Sequence, residues 1–374
     1  MATRREMTPH DRVRTAMSRR VPDRVPKTAG FTATVEERYQ QHVAAELGLD
    51  LSKPEDAAKL PGAAGYFGME VRGAGFRGPE ALPDFRPFFQ EDLPDNASFS
   101  EYGAANSPGT FYHFTRRHYP LAGAGSVADY HGYPWPDFTP PRRHEHLQAD
   151  VARLLQGGWY VQGGVGHIFE NAWQIRGMED LFEDMILRPD MATFLLDRLT
   201  EDRAFQARRY AEAGCDSIGC GDDVGMQDRM MMSPAMWREW FKPRWAYVWQ
   251  VARKANPDLQ IWYHSDGYIE PIIPDLIEIG LDILNPVQPE CMDPVKLKHE
   301  YGDRLAFWGC VGTQTVMPFG TPQKVRETVK WLVETVGDGG GLLLAPTHVL
   351  EPDVPWENVL AFFEAVERYG RYAE

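Results

Sequence analysis

The stretch "IWYHSDG" sets a histidine and a carboxylate two residues apart where an apolar run stops. In extended backbone residues i and i+2 leave the same face, so His264 and Asp266 can grip one ion, or can simply end the strand as a hydrogen-bonded pair. His348, in "LLLAPTH", is a third donor if its strand lies near theirs in space. Three protein ligands with an open fourth position is the arrangement of a catalytic zinc, which polarises whatever occupies that position. Cys291, in the loop after "DILNPVQ", is a candidate fourth, softer ligand. His348 serves equally as a substrate hydrogen-bond donor, and Cys291 as a small apolar residue.

The segment "GDDVGMQDRMMMSP" carries Asp222 and Asp223. Two adjacent carboxylates can bind a cation, orient a hydroxyl, or divide acid and base roles if their surroundings split their pKa values. They can also cap loop amides or the helix that begins at Ser233-Pro234. Upstream, "GGVGHIFENAW" supplies His167 and Glu170; the glutamate also suits the start of a helix. Gln227, Asn285, Gln288, Gln314 and Tyr112 complete the candidate substrate contacts.

These residues must be held by ordered elements, and from Arg142 onward the chain alternates helix and strand. The strand candidates are "WYVQGGVG", "DSIGCGDD", "IWYHSDG", "LDILNPVQ", "LAFWGCVG" and "GLLLAPTH", each preceded by an amphipathic stretch, with an earlier one at "RVPKTAGF". Such alternation implies parallel pairing with both faces covered. Seven candidates fall one short of an eightfold barrel, and a doubly wound open sheet would give the same pattern. The polar residues favour the barrel, because they gather at consecutive strand ends, where barrel chemistry sits. No GxGxxG follows the first strand. The chain reads as one α/β unit over 1–374, a TIM (β/α)8 barrel with an extended N-terminal region over 1–140 and regular repeats over 141–374. That region is rich in Pro, Gly and aromatics, among them Phe111, His113, His118, Tyr119 and Trp135. It either folds over the mouth or covers the outer or lower face of the barrel.

The formal net charge of −15 leaves no basic face for a phosphate backbone or an anionic membrane. The basic first residues lack the apolar core of a signal peptide, so a cytoplasmic protein is expected. The four cysteines (Cys215, Cys220, Cys291, Cys310) form no CxxC pair and read as free thiols.

From "MTPHDRVRTAMSRRVPDRVP" through "GDDVGMQDRMMMSPAMWREWFKPR", "HSDGYIEPIIPDLIEIGLDILNPVQ", "LAFWGCVGTQTVMPFGTP" and "GGGLLLAPTHVLEPDVPWENVLAFFEAV", the chain resembles the uroporphyrinogen decarboxylase superfamily, in particular its methyltransferase-like branch. The resemblance implies a TIM barrel, and either cofactor-free decarboxylation or zinc-dependent methyl transfer among a small methylated donor, a corrinoid and a thiol. The decarboxylase's arginine-rich first strand is replaced here by "VPKTAGFTA", with Lys27 as its cation. The methyltransferases' His-x-Cys and distant Cys become His264, Asp266 and His348. A His/Asp/His set is harder than His/Cys/Cys and leaves zinc, or another divalent ion, a stronger Lewis acid, suited to activating an ether or hydroxyl oxygen. The expectation is a corrinoid-dependent methyltransferase that demethylates a small O-methyl compound and passes the methyl to a separate corrinoid-binding protein, with Asp222 or Asp223 orienting or protonating the leaving group. A lyase or decarboxylase, anchoring a carboxylate with Arg176, Arg229 or Arg244, and a non-catalytic binder are the alternatives. The family's pairing of barrels implies a homodimer.

Overall fold

The computed structural model describes residues 6–108 and 115–372. Four strands precede the regular repeats: β1 (Val71–Ala74), β2 (Ser98–Phe99), β3 (Ala105–Pro108) and β4 (Thr115–His118). Six follow: β5 (Tyr160–Gly166), β6 (Ser217–Gly221), β7 (Gln260–His264), β8 (Ile283–Asn285), β9 (Ala306–Val311) and β10 (Leu342–Pro346). Strands β2 to β4 form a small antiparallel sheet. The other seven lie in the order β1-β5-β6-β7-β8-β9-β10, every pair parallel.

Residues 24–31 close the ring between β10 and β1. Leu344 donates to the Pro26 carbonyl at 2.9 Å and Thr28 donates to Leu344 at 3.1 Å. On the other side Glu70 donates to the Lys27 carbonyl at 3.2 Å, and its carboxylate accepts from Lys27 N at 2.8 Å. The eighth position of the barrel is therefore filled by the expected "RVPKTAGF" segment, but as isolated bridges. Pro26 has no N–H to give to a ladder, which keeps the segment from forming a full strand. The regular pairing beside it belongs to β1, whose four residues "VRGA" show no alternation and are not among the strand candidates of the sequence.

The helices follow their sequence punctuation. The 25-residue helix Pro189–Ala213 starts on a proline and stops at Gly214, which takes the left-handed conformation (φ 87°). It packs along helix Lys242–Ala255, burying Trp245 and Trp249 completely. Helix Pro234–Trp240 is capped as expected, Ser233 Oγ accepting from Met236 N at 3.1 Å.

A separate apolar cluster fills the barrel interior from below. Val13, Ala16 and Met17 of helix Pro9–Met17 meet Tyr160, Ile283, Ala306, Trp308, Leu343 and Ala345, with Trp262 packed on top. The aromatic N-terminal residues that are described lie on the outer face: Tyr130 and Trp135 pack on Phe194 of the long helix, and His118 is buried between Ser107 and Glu91. Among the described residues no helix is long and apolar enough to cross a membrane.

Candidate active site

Strand β7 delivers His264 to the mouth with its ring already oriented. Nδ1 meets Asn285 Oδ1 at 2.5 Å, and the Asn285 amide in turn donates to the Trp308 carbonyl at 2.7 Å. Held this way, Nδ1 carries the proton and Nε2 presents its lone pair. Nε2 faces two carboxylates, Asp223 Oδ1 at 3.5 Å and Asp266 Oδ1 at 3.9 Å. The three donor atoms lie within 4.8 Å of one another. Ligands about 2.1 Å from a tetrahedral zinc stand about 3.4 Å apart, so the spacing needs little adjustment to take one ion. Burial, with the Asp223 charge added, pushes the Asp266 carboxyl above its usual range although His264 pulls it down.

The loops carrying the two aspartates are locked together. Asp266 N donates to Asp223 Oδ1 at 2.8 Å and Tyr268 N to the Met226 carbonyl at 2.7 Å. At the crossing Gly225 and Gly267 touch: a Cβ on Gly225 would lie 2.6 Å from Asp266 O, and one on Gly267 2.6 Å from Gly225 C. Gly267 also needs φ +79°, which a residue with a side chain rarely adopts.

Asp222 turns the other way. It is fully buried, Oδ1 accepting from Ile168 N at 2.9 Å and Glu170 N at 3.2 Å, Oδ2 from Trp245 Nε1 at 2.9 Å. Burial, reinforced by the Glu170 charge and opposed by His167, pushes it up to about 7. It ties the loop after β5 to the barrel wall and does not line the cavity. His167 and Glu170 pair above it at 2.7 Å, and His167 Nδ1 also lies 2.8 Å from the Gly221 carbonyl. Burial opposes a charged His167, but the hydrogen bond and charge of Glu170 outweigh it and hold the ring up to about 9. These three also lie within ligand distance of one another, but Asp222 is already spent on backbone and Trp245, and His167 Nδ1 and Glu170 Oε2 on each other.

Two cavities share this mouth. The inner one, about 600 Å³, is lined by Gln162, Gly164, His167, Glu170, Gly219, Asp223, Trp262, His264, Asn285 and Trp308. The outer one, about 360 Å³, is lined by Gln227, Asp266, Gln288, Gln314, Glu351 and Asp353 among others, and His348 borders both. Asp223, His264, Asp266, Asn285, His167, Glu170, Gln227, Gln288 and Gln314 are thus brought together around one opening. His348 is there too, exposed, but stands outside the compact group of three. Gln288 supports the crossing by accepting from Gly267 N at 3.1 Å, and Gln227 donates to the Glu290 carbonyl at 3.1 Å. Cys291 instead opens onto a different groove with Trp331 and Thr335, and Tyr112 lies outside the described residues. Gln162, Trp262 and Trp308 were missed by sequence reading. The first two sit two residues or more before strand ends, on the inward-facing register of "VQGGVGH" and "WYH", and that period-two signal was available.

Comparison with known proteins agrees with this architecture. Residues 136–369 match the family described as uroporphyrinogen decarboxylase (URO-D). A methylcobamide:CoM methyltransferase (MtaA) from Methanosarcina barkeri is 27% identical over 184 residues, 49% of this chain and 51% of that protein. A uroporphyrinogen decarboxylase from Chlorobium limicola is 26% identical over 192 residues, 50% of this chain and 52% of the other. The chain thus spans about half the length of the curated relatives it matches. The structure of a methyltransferase from Methanosarcina mazei superposes with a TM-score of 0.66 at 22% identity, covering 97% of this chain and 99% of that one. That likeness supports the TIM-barrel fold and agrees with the closed ring of strands. With the family match covering well over half of its length, the chain belongs to the uroporphyrinogen decarboxylase family.

Proposed function

We propose that the protein is a methyltransferase that removes a methyl group from a small O-methyl compound held in the mouth and gives it to a corrinoid presented by a separate protein. The observation that carries this reading is the convergence of Asp223, His264 and Asp266 on one point with the His264 tautomer preset by Asn285. One carboxylate-flanked imidazole with a fixed second ring nitrogen is the donor chemistry of a divalent cation site, zinc being the natural occupant. The Methanosarcina barkeri relative, a methylcobamide:CoM methyltransferase, supports the reaction class.

An alkoxide or phenoxide leaves poorly unless its developing charge is taken up. A divalent ion bound by these three residues would supply Lewis acidity for that charge. The protein's own groups do the remaining work. Asn285 and the Trp308 carbonyl keep Nε2 of His264 turned to the mouth. Asp222 fixes the loop that carries His167 and Glu170, with no contact to the substrate. His167, paired with Glu170 at the cavity wall, is placed to hydrogen-bond the departing oxygen. His348 is a further donor at the rim, for the cation or for the substrate.

The decarboxylase alternative finds less support. Among the described residues lining the two cavities none is Arg or Lys. Arg176 is buried against Asp184, Arg244 pairs with Asp197, and Arg229 lies exposed beside Asp228. Elemental analysis of the purified protein beside His264→Ala and Asp223→Asn tests the reading. Near-stoichiometric zinc lost in both variants is the expected result, with methylation of cobalamin(I) followed by its visible spectrum. A wild-type protein that stays metal-free after resupply with zinc overturns it.

A further inference from the structure

We infer that the substrate class of this mouth is an uncharged aryl methyl ether, its ring seated in the inner cavity on Trp262 and Trp308. The inference rests on the methyl-transfer reading and adds to it the shape and polarity of the donor.

The barrel interior is solid only up to these two indoles. Trp308 belongs to the cluster packed from below by helix Pro9–Met17, Trp262 rests against it, and the pair meets edge to face at 5.9 Å between centroids. Above them the layer that side chains normally fill is left open by glycine. A Cβ built at Gly164 on β5 meets nothing within 4 Å, while at its register partner Gly219 on β6 a Cβ would stand 3.1 Å from Gln162 and 3.3 Å from Trp262, so that glycine gives its space to those two side chains. The resulting space of about 600 Å³ lies within the range of sites for drug-sized ligands, ~300–1,000 Å³, and far exceeds what methanol or another one-carbon donor would occupy. Its floor is aromatic, and Trp262 continues into the mouth by stacking on His264, with centroids 5.8 Å apart and planes 11° from parallel. A flat ring lying on this floor would bring a substituent toward the donors of the mouth.

Polarity narrows the class. Gln162 and Trp262, both in the cavity wall, each leave a buried N–H without a protein acceptor, which favours a ligand that accepts hydrogen bonds, such as an ether or phenol oxygen. An alkylammonium ion offers no acceptor there. A carboxylated ring would meet Asp223 and Glu170 in a cavity that has no Arg or Lys among its described lining residues, so anionic rings are disfavoured. In the transfer, the methyl–oxygen bond breaks with its electron pair left on the aryl oxygen. The methyl carbon is bonded through the electron pair of a cobalt(I) corrinoid carried by the partner protein, and a proton from water ends on the phenol.

The test is calorimetric titration of the zinc-supplemented full-length protein, without corrinoid, with 2-methoxyphenol, 4-methoxybenzoate, tetramethylammonium and methanol. The neutral ring should bind at least tenfold more tightly than the other three, and Gly164→Leu, which fills the open space, should weaken it tenfold or more while the melting temperature and zinc content hold. Gln162→Leu gives a second check should that variant fail to fold, and should weaken the ring severalfold. Preference for methanol, tetramethylammonium or the carboxylate, or a ring affinity indifferent to both substitutions, overturns the assignment. Methylation of cobalamin(I) is measured in parallel. Transfer from methanol with no ring binding would leave methyl transfer standing and remove the aryl class; ring binding with no transfer from any methyl ether would do the reverse.

Discussion

Asp222 and Asp223 are neighbours in sequence and opposites in the structure. Asp222 sits in a closed group, with every oxygen answered by a donor from Ile168, Glu170 or Trp245. Asp223 sits in an open one, where it, His264 and Asp266 point at a common spot and two carboxylates face each other across it. A satisfied buried carboxylate holds loops in place, whereas side chains that converge on one point, with only the Asp266 N–H answering Asp223 Oδ1 there, call for a cation or a substrate proton. The same residue type, one peptide apart, thus does structural work on one side of a backbone turn and chemical work on the other.

The sharpest way to break this contrast is to remove one open-group donor. His264→Ala or Asp223→Asn should lower zinc affinity by about a thousandfold or more and bring methyl transfer to background, with little change in melting temperature, as read by metal analysis and calorimetry. Mutation in the closed group should do the opposite. Asp222→Ala leaves three donors unanswered and should cost ~3 kcal/mol of stability in denaturant titration, while the purified folded fraction keeps its zinc. Loss of zinc at unchanged stability in this variant would erase the distinction. Asn285→Ala, which frees the His264 ring without touching a ligand, should weaken zinc by about 10- to 100-fold.

The smallest effect concerns His167. Its folded pKa of about 9 lies above the usual 6.5, so the stabilisation of its pair with Glu170 is full below 6.5 and is lost as pH rises through about 9. Glu170 is held below its usual value by that same pair, although burial opposes this, so its share is lost as pH falls through the lowered value. His167 keeps more than a third of its side chain exposed, and solvent screening cuts the contribution to ~1 kcal/mol. Denaturation midpoints across that alkaline range should fall for the wild type and stay flat for His167→Gln.

The barrel and half of this contrast could be read from the sequence. Strand ends marked by "HSDG" and "PTH" announced His264, Asp266 and His348, because a run of apolar residues that stops in polar ones has few other meanings in an alternating α/β chain. What could not be read was which of two adjacent aspartates faces the mouth. That depends on Asp222 N bonding the His264 carbonyl at 3.0 Å, a contact between two strands that no local pattern encodes. The cavity floor was hidden for a different reason: that Gly164 leaves core space open, and that its partner Gly219 yields space to Gln162 and Trp262, emerges only when the register pairs the two strands. The closing segment was misjudged because hydrophobicity marks "RVPKTAGF" as strand while its Pro26 withholds a donor the ladder requires.

The crossing of Gly225 over Gly267 acts as a fixed gauge. Since two bare backbones touch there, the span between the aspartate-bearing loops is set by atomic radii, leaving no rotamer to relax and no side chain to swap. Natural variants of this barrel could therefore retune their donors residue by residue at 223, 264 and 266 while the interval between them stayed constant, and a library randomised at 225 and 267 should return glycine at both.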